Sequence, residues 1–195
     1  MATAAARTRD RERVENDLIE AAADLLGELG PRALTVRMVA ERAGVNHGLI
    51  HHYFGGKQPL LAAAMRRLVE QHEEFATARA GGSAIPAPLA LGDDPRYLRA
   101  VLRCVLDGEM GLARTELDAG VSVPRRALDH ITARRGQKSA DLDTKAEVGM
   151  EMALEMGWVA LEPFILAVLD VAPGDREAIR ERVRQRRGTR VSVRT

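Results

Sequence analysis

Between residues 11 and 29 apolar side chains recur every three or four positions, at Val14, Leu18, Ala21, Ala22, Leu25 and Leu29. That spacing lines one face of an α-helix. Gly30-Pro31 predicts its end, glycine as the residue past the last turn and proline because it cannot continue the helix. Thr35 has the hydroxyl that caps a helix start, which predicts a short second helix over 36–42. Ala43-Gly44-Val45 reads as a tight turn, and Asn46 opens a third short helix that ends near Tyr53, before Gly55-Gly56. The fourth helix starts at Lys57 and runs to about Arg79, with Pro59 in the first turn, where no intrahelical N–H is lost. Further helical patterns cover 94–107, 109–117, 122–134, 142–169 and 175–187.

Residues 81–93 interrupt this series with three glycines and two prolines, and predict a linker between two units. The expected organisation is therefore a flexible basic arm over 1–10, a three-helix unit over 11–56 and a connecting helix over 57–80. After the linker come a second helical unit over 94–187 and a frayed tail over 188–195, whose alternating TRVSVRT run also suits a strand. Ala, Leu, Glu and Arg dominate, aromatics make up 3%, and β-branched runs are nearly absent, so the fold class is all-α.

Residues 35–54 (TVRMVAERAGVNHGLIHHYF) carry the parts of a helix-turn-helix. Val39, Ala40, Ala43 and Val45 give two helices small inward surfaces, and Gly44 suits a left-handed turn. Ile50 and Phe54, four apart, would anchor the third helix on Leu18, Ala22 and Leu34. That register turns Asn46, His47, Leu49 and His51 outward at the end where recognition helices meet base edges. Gly48 among them would let the backbone approach DNA. Lys57 adds a cation to the positive end of the fourth helix, a pairing that suits a phosphate.

The stretch TVRMVAERAGVNHGLIHHYFGGKQPLL, preceded by VENDLIEAAADLLGELG, resembles the N-terminal domain of the TetR family of bacterial regulators over residues 11–62. The resemblance implies that Asn46, His47, Gly48, Leu49 and His51 lie where bases and nearby backbone are touched. It implies phosphate contacts for Thr35, His52, Tyr53 and Lys57. Two positions depart from the family pattern: His51 stands where Tyr is commoner and Leu49 where Thr is frequent. His51 shortens the reach and titrates near neutral pH in its unperturbed form, and Leu49 offers an apolar contact, such as to a thymine methyl. The operator is therefore not transferable from other members.

A single helix-turn-helix reads few base pairs, so a homodimer on paired half-sites is expected. Gly149, Ala153, Gly157 and Ala160 form a small-residue stripe on the longest helix, which permits close helix–helix approach and predicts the dimer interface. The resemblance agrees, because in that family the last two helices of each subunit form a four-helix interface. An effector pocket, if present, would be walled by Tyr97, Val101, Cys104, Val105, Met110, Leu112, Leu128, Met150 and Trp158, each of which also suits plain core. Few aromatics argue against a stacked planar ligand and leave an aliphatic one open.

Charge does not announce the DNA partner: 29 Lys+Arg face 28 Asp+Glu, net +1. The single cysteine, Cys104, fits a reducing compartment, and no apolar run approaches the ~18 residues of a membrane span. A cytoplasmic protein with no membrane partner is expected. His47 and His51 have an i, i+4 spacing that suits zinc, but no Cys, Asp or Glu completes a site on a face that DNA needs. No metal, no cofactor and no catalytic set is expected. The resemblance implies that the Arg-rich stretch from 176 onward lies far from DNA, so it reads as a solvated helix face and frayed tail, not a second nucleic-acid site. The sequence thus predicts a ligand-responsive transcriptional regulator, most simply a repressor released from a palindromic operator by a small molecule. An effector-independent architectural DNA-binding protein and a small helical enzyme are the rivals.

Overall fold

The computed structural model describes residues 4–81, 83 and 87–194, and every regular element among them is helical. Chain order runs α1 (Ala4–Ala33), α2 (Val36–Ala43), α3 (Gly48–Phe54), α4 (Lys57–Ala80), α5 (Pro95–Leu106), α6 (Met110–Ala113) and α7 (Thr115–Asp118). α8 (Val123–Arg134), α9 (Leu142–Val168) and α10 (Arg176–Arg194) follow, with short 3-10 turns at Ala90–Asp93 and Pro173–Asp175. The chain is all-α, a helix-turn-helix followed by a helical C-terminal part.

Several boundaries differ from the sequence pattern. The expected loose arm is helical from Ala4, and residues 1–3 lie outside the described residues. Extending a helix adds a hydrogen bond per residue without a new nucleus, and alanine is the best helix former. The tail expected to fray from 188 continues α10 to Arg194, with Thr195 outside the described residues. No strand among the described residues is available to pair with its alternating run, so helix elongation satisfies the backbone instead. Of the expected linker, 82 and 84–86 lie outside the described residues, and Ala90–Asp93 is an ordered turn.

The helices form two compact units, divided differently from the expected 11–56 and 94–187. One takes the chain as far as His72 together with Arg96–Val121; the other takes Glu73–Pro95 and the chain from Ser122 on. In the first unit Leu18, Ala22, Leu26, Leu34, Val39, Ile50, Leu60, Leu61 and Met65 are fully buried or nearly so. Each such Leu, Ile, Val or Met side chain contributes about 1.5–3 kcal/mol by leaving water, so this core dominates the unit's stability.

The reason Arg96–Val121 joins the first unit is the surface of α1. A Cβ on Gly27 would lie 3.4 Å from the Arg96 carbonyl and 3.5 Å from Arg99 Cβ, so the missing side chain lets α5 press against α1. Gly30 lies against Arg103 and Asp107 in the same way, and the Asp107 carboxylate accepts from Arg32 N–H at 3.2 Å. Gly30 itself has φ 80, ψ 166, a backbone region essentially reserved for glycine, and it kinks α1 there. Arg96 completes the seam: Nε donates to Asp24 Oδ1 (2.7 Å), Nη2 to Glu20 Oε2 (2.6 Å) and Nη1 to Gln71 Oε1 (2.9 Å). Arg67 of α4 donates to the other Glu20 oxygen at 2.9 Å. Burial pushes the Glu20 carboxyl up, but the two guanidiniums outweigh it and hold the group below its ordinary range.

In the second unit Asp141 caps α9, accepting from Thr144 N–H at 2.7 Å, and the buried Thr144 hydroxyl accepts from Arg135 at 2.8 Å. Glu155 of α9 holds the turn after residue 87: its carboxylate accepts the N–H groups of Leu89 (2.9 Å) and Leu91 (3.1 Å). Arg187 of α10 pairs with the same carboxylate and with Glu151, 3.1 Å away. Leu89 has φ 63, an unfavourable conformation for a branched-chain residue, and the two hydrogen bonds to Glu155 offset that strain.

Candidate nucleic-acid interface

Local chemistry builds the reading helix. Thr35 Oγ1 accepts from Met38 N–H at 3.3 Å and starts α2, whose Val39 and Ala40 face the core. Gly44 ends it at φ 68, ψ 29, with its N–H directed to the carbonyls of Ala40 and Glu41. Only a residue tolerant of the left-handed region turns the chain so tightly. Asn46 Oδ1 then accepts from Gly48 N–H at 2.8 Å, so the Asn46 oxygen caps α3 while its amide nitrogen keeps two donors. Ile50, fully buried, seats the helix.

That seating decides what faces outward. Asn46, His47, Gly48, His51 and His52 are exposed, as is Thr35. Leu49, Tyr53 and Lys57 are half-buried, and Phe54 joins Ile50 only partly. Lys57 opens α4, a helix of 24 residues, where free N–H groups and the helix dipole add to its charge. Eight of the nine positions singled out in the sequence therefore lie in α3, the turn before it and the start of α4, and the ninth, Thr35, stands at the start of α2.

Two contributors escaped the sequence pattern. Arg11 places its guanidinium 5.5 Å from the Tyr53 ring centroid while its Nε donates to Glu15 at 2.9 Å. Arg11 is thus part of α1 and stands over Tyr53, whose ring also meets His52 edge-on at 4.9 Å. Arg42 grips Glu28 with both terminal nitrogens, at 3.1 and 2.9 Å, and ties α2 to α1. The Arg11–Glu15 spacing of four was the one readable hint.

The residues of the expected effector wall belong to both units. Tyr97, Val101, Cys104, Val105, Met110 and Leu112 belong to the first unit, and Leu128, Met150 and Trp158 to the second. Tyr97, Cys104 and Leu112 are buried, whereas Val105, Met110 and Met150 are 44%, 49% and 57% exposed. α5 is strongly amphipathic, and its burial of Tyr97, Leu98, Ala100 and Cys104 leaves Val105 on the solvent side. Tyr97 stacks on His72 with centroids 4.0 Å apart and donates its hydroxyl to Glu116. Burial, aided by Asp107 and Glu109, pushes the Cys104 thiol up to about 11, so it stays protonated and unreactive at neutral pH.

On α9 the small-residue stripe is open: Gly149, Ala153 and Ala160 are exposed and Gly157 is half-buried. Beside it Met150, Leu154, Leu161, Phe164 and Val168 are also exposed, so the stripe lies in a wide apolar face.

Comparison with known proteins adds to this geometry. Residues 18–64 match the family model described as bacterial regulatory proteins, tetR family. An HTH-type transcriptional repressor of Mycobacterium tuberculosis is 29% identical over 168 residues, 85% of this chain and 83% of that protein. The HTH-type transcriptional regulator BetI of Stenotrophomonas maltophilia is 40% identical over 91 residues, 47% of this chain and 41% of its own. Among solved structures, a tetR-family transcriptional regulator from Streptomyces coelicolor superposes with a TM-score of 0.61 at 18% identity, covering 94% of this chain and 82% of that one. A TetR-family regulator from Rhodococcus sp. gives 0.58 at 20% identity over 91% and 98%. These structural likenesses concern the fold.

Proposed function

We propose that this chain is a DNA-binding transcriptional regulator of the TetR type, a homodimeric repressor released from its operator by a small molecule; the match of residues 18–64 to the family model and the likeness to a transcriptional repressor along most of the chain support this reading. The observation that carries the reading is the exposed edge of α3, where Asn46, His47, Gly48 and His51 stand clear of a helix seated by the buried Ile50. With Leu49, these residues read base edges and approach the adjacent backbone in the major groove. Thr35, His52, Tyr53 and Lys57 hold phosphates and fix the register.

The dimer rests on α9. A face with Phe164 at 66% and Val168 at 65% exposure is costly to leave in water, and the stripe beside it admits a second helix closely. Two reading helices then meet two half-sites, which makes the operator near-palindromic. The Mycobacterium tuberculosis relative, which aligns with 85% of this chain, is a repressor. Release requires an effector that binds the non-DNA state more tightly than the DNA-bound one.

Selection of bound duplexes from a random pool tests the reading. The expected result is an inverted repeat with half-sites about one helical turn apart. A run-off transcription assay with that repeat placed over a promoter should then show less transcript as protein is added. A single unrepeated motif would overturn the dimer, and increased transcript would overturn repression.

A further inference from the structure

Histidine is concentrated at the reading helix. The chain has five histidines, and three of them, His47, His51 and His52, fall within six residues on α3 and its N-cap. All three are exposed, and no carboxylate among the described residues pairs with any of them. His47 stands at the N-cap without a side-chain hydrogen bond to the helix, so its imidazole has no capping duty. The His52 ring meets Tyr53 edge-on.

The permanent charges that neighbouring elements bring to this helix are largely cancelled. Arg11 of α1 pairs with Glu15, Arg37 of α2 with Glu41 at 2.8 Å, and Arg42 of α2 with Glu28 of α1. Within residues 35–57, Lys57 of α4 is the one permanent cation that pairs with no acid among the described residues. Residues 1–60 as a whole hold eight basic and eight acidic groups and net zero. Yet the affinity of a DNA-binding protein comes largely from cations that displace counterions from phosphates. Histidine is the side chain whose ordinary charge change falls in the neutral range. Protons on these three would turn a neutral segment into a positive one.

We propose that His47, His51 and His52 make DNA binding proton-linked: the face takes up protons as it meets the duplex, so affinity rises as pH falls through the neutral range. This rests on the reading of α3 as the DNA-contacting helix. Glu15, Glu28 and Glu41 are already held by arginines, so the duplex and not the protein supplies the counter-charge. A phosphate beside an imidazole favours its charged form. By linkage, a chain that already holds the proton binds the duplex more tightly. The charged ring also donates from both nitrogens, where the neutral one donates from one and accepts at the other. Protonated His52 thus joins Lys57 as a second cation for phosphate. His47 and His51 gain a donor toward the acceptor atoms of base edges.

Fluorescence anisotropy of the full-length chain on the duplex recovered by selection, from pH 6 to pH 8 at fixed salt, tests this. Each histidine that gains its proton on binding adds at most about one to the fall of log K per pH unit. Affinity should fall by about tenfold or more across the range. H47Q/H51Q/H52Q, which cannot take up these protons, should lose that dependence. H130Q, at an exposed histidine of α8, should keep it. If the triple variant loses helicity or duplex binding, H52R decides. Its charge is fixed throughout, so its fall in log K should be shallower by about a third, the share of one histidine in three. An H52R profile parallel to that of the unaltered chain overturns the proposal. Sequence-selective binding that does not change with pH overturns the proposal alone, whereas failure to bind any duplex at either pH overturns the functional reading with it. A dependence that persists in the triple variant, or vanishes in H130Q, places the protons elsewhere and also overturns it.

Discussion

Replacing Gly30 by alanine gives the sharpest test of how α1 meets α5. At φ 80, ψ 166 the residue occupies a region that costs any other residue about 1–3 kcal/mol. The new Cβ would also stand 2.7 Å from Asp107 Oδ2, so the carboxylate must move and gives up the Arg32 N–H. That hydrogen bond is solvent-exposed, and its loss costs about 1 kcal/mol. Gly30→Ala should therefore destabilise by about 2–4 kcal/mol in urea denaturation of the full chain followed by far-UV circular dichroism. Gly44→Ala is the reference: its φ of 68 is also positive, but nothing lies within 4 Å of the added carbon. It should cost about 1 kcal/mol, the left-handed penalty alone. Because Asp107→Ala removes the same hydrogen bond that Gly30→Ala breaks, the double variant should cost about 1 kcal/mol less than the two singles combined. Equal costs for the two glycines, or simple additivity in the double variant, would refute the close-approach account.

Three further outcomes follow from the geometry. Asn46→Ala should lower stability by about 1 kcal/mol through the lost cap and flatten the base preference at one operator position by about 1–3 kcal/mol. Asn46→Ser should restore the cap but not the preference, and recovery of both would leave Asn46 a purely structural residue. The Asp141 carboxyl is held down at about 2, first by the Thr144 backbone N–H, then by the Thr144 and Gln137 side chains. Its stabilisation is thus complete above the ordinary Asp range and is lost as pH falls through about 2, so Asp141→Ala should flatten the acid limb of thermal stability against pH. Lys57→Ala should weaken all duplexes alike and lower the salt slope by about 0.9 per half-site, as read by anisotropy titrations; a sequence-selective loss would remove it from the phosphate set.

What was legible in the sequence was local. Thr35 caps the helix it was expected to cap, Gly44 turns where a left-handed residue was needed, and the spacing of Ile50 and Phe54 left the outward residues of α3 identifiable. Gly30 was read correctly as an interruption but not in kind, because its conformation depends on Asp107, distant in sequence. Amphipathic spacing in α5 showed that Tyr97 and Cys104 face inward; it carried no information on which surface they meet. Hence the first unit's claim on Arg96–Val121 was invisible, and the expected effector wall drew residues from two units. Arg11 over Tyr53 was missed for the same reason, since no local rule links positions so far apart.

The discontinuity of the first unit bears on its birth. A ribosome that has delivered the reading helix, and the chain as far as His72, has not yet delivered the strip that covers Gly27 and Gly30. Roughly fifty more residues must emerge before Val121 is out, about 2–10 s at ordinary elongation rates. During that interval the back of α1 is open to water, to chaperones and to other nascent chains. A truncated fragment ending after α4 would keep that state permanently, so the DNA-reading helices are not a module that can be cut from the front of this chain.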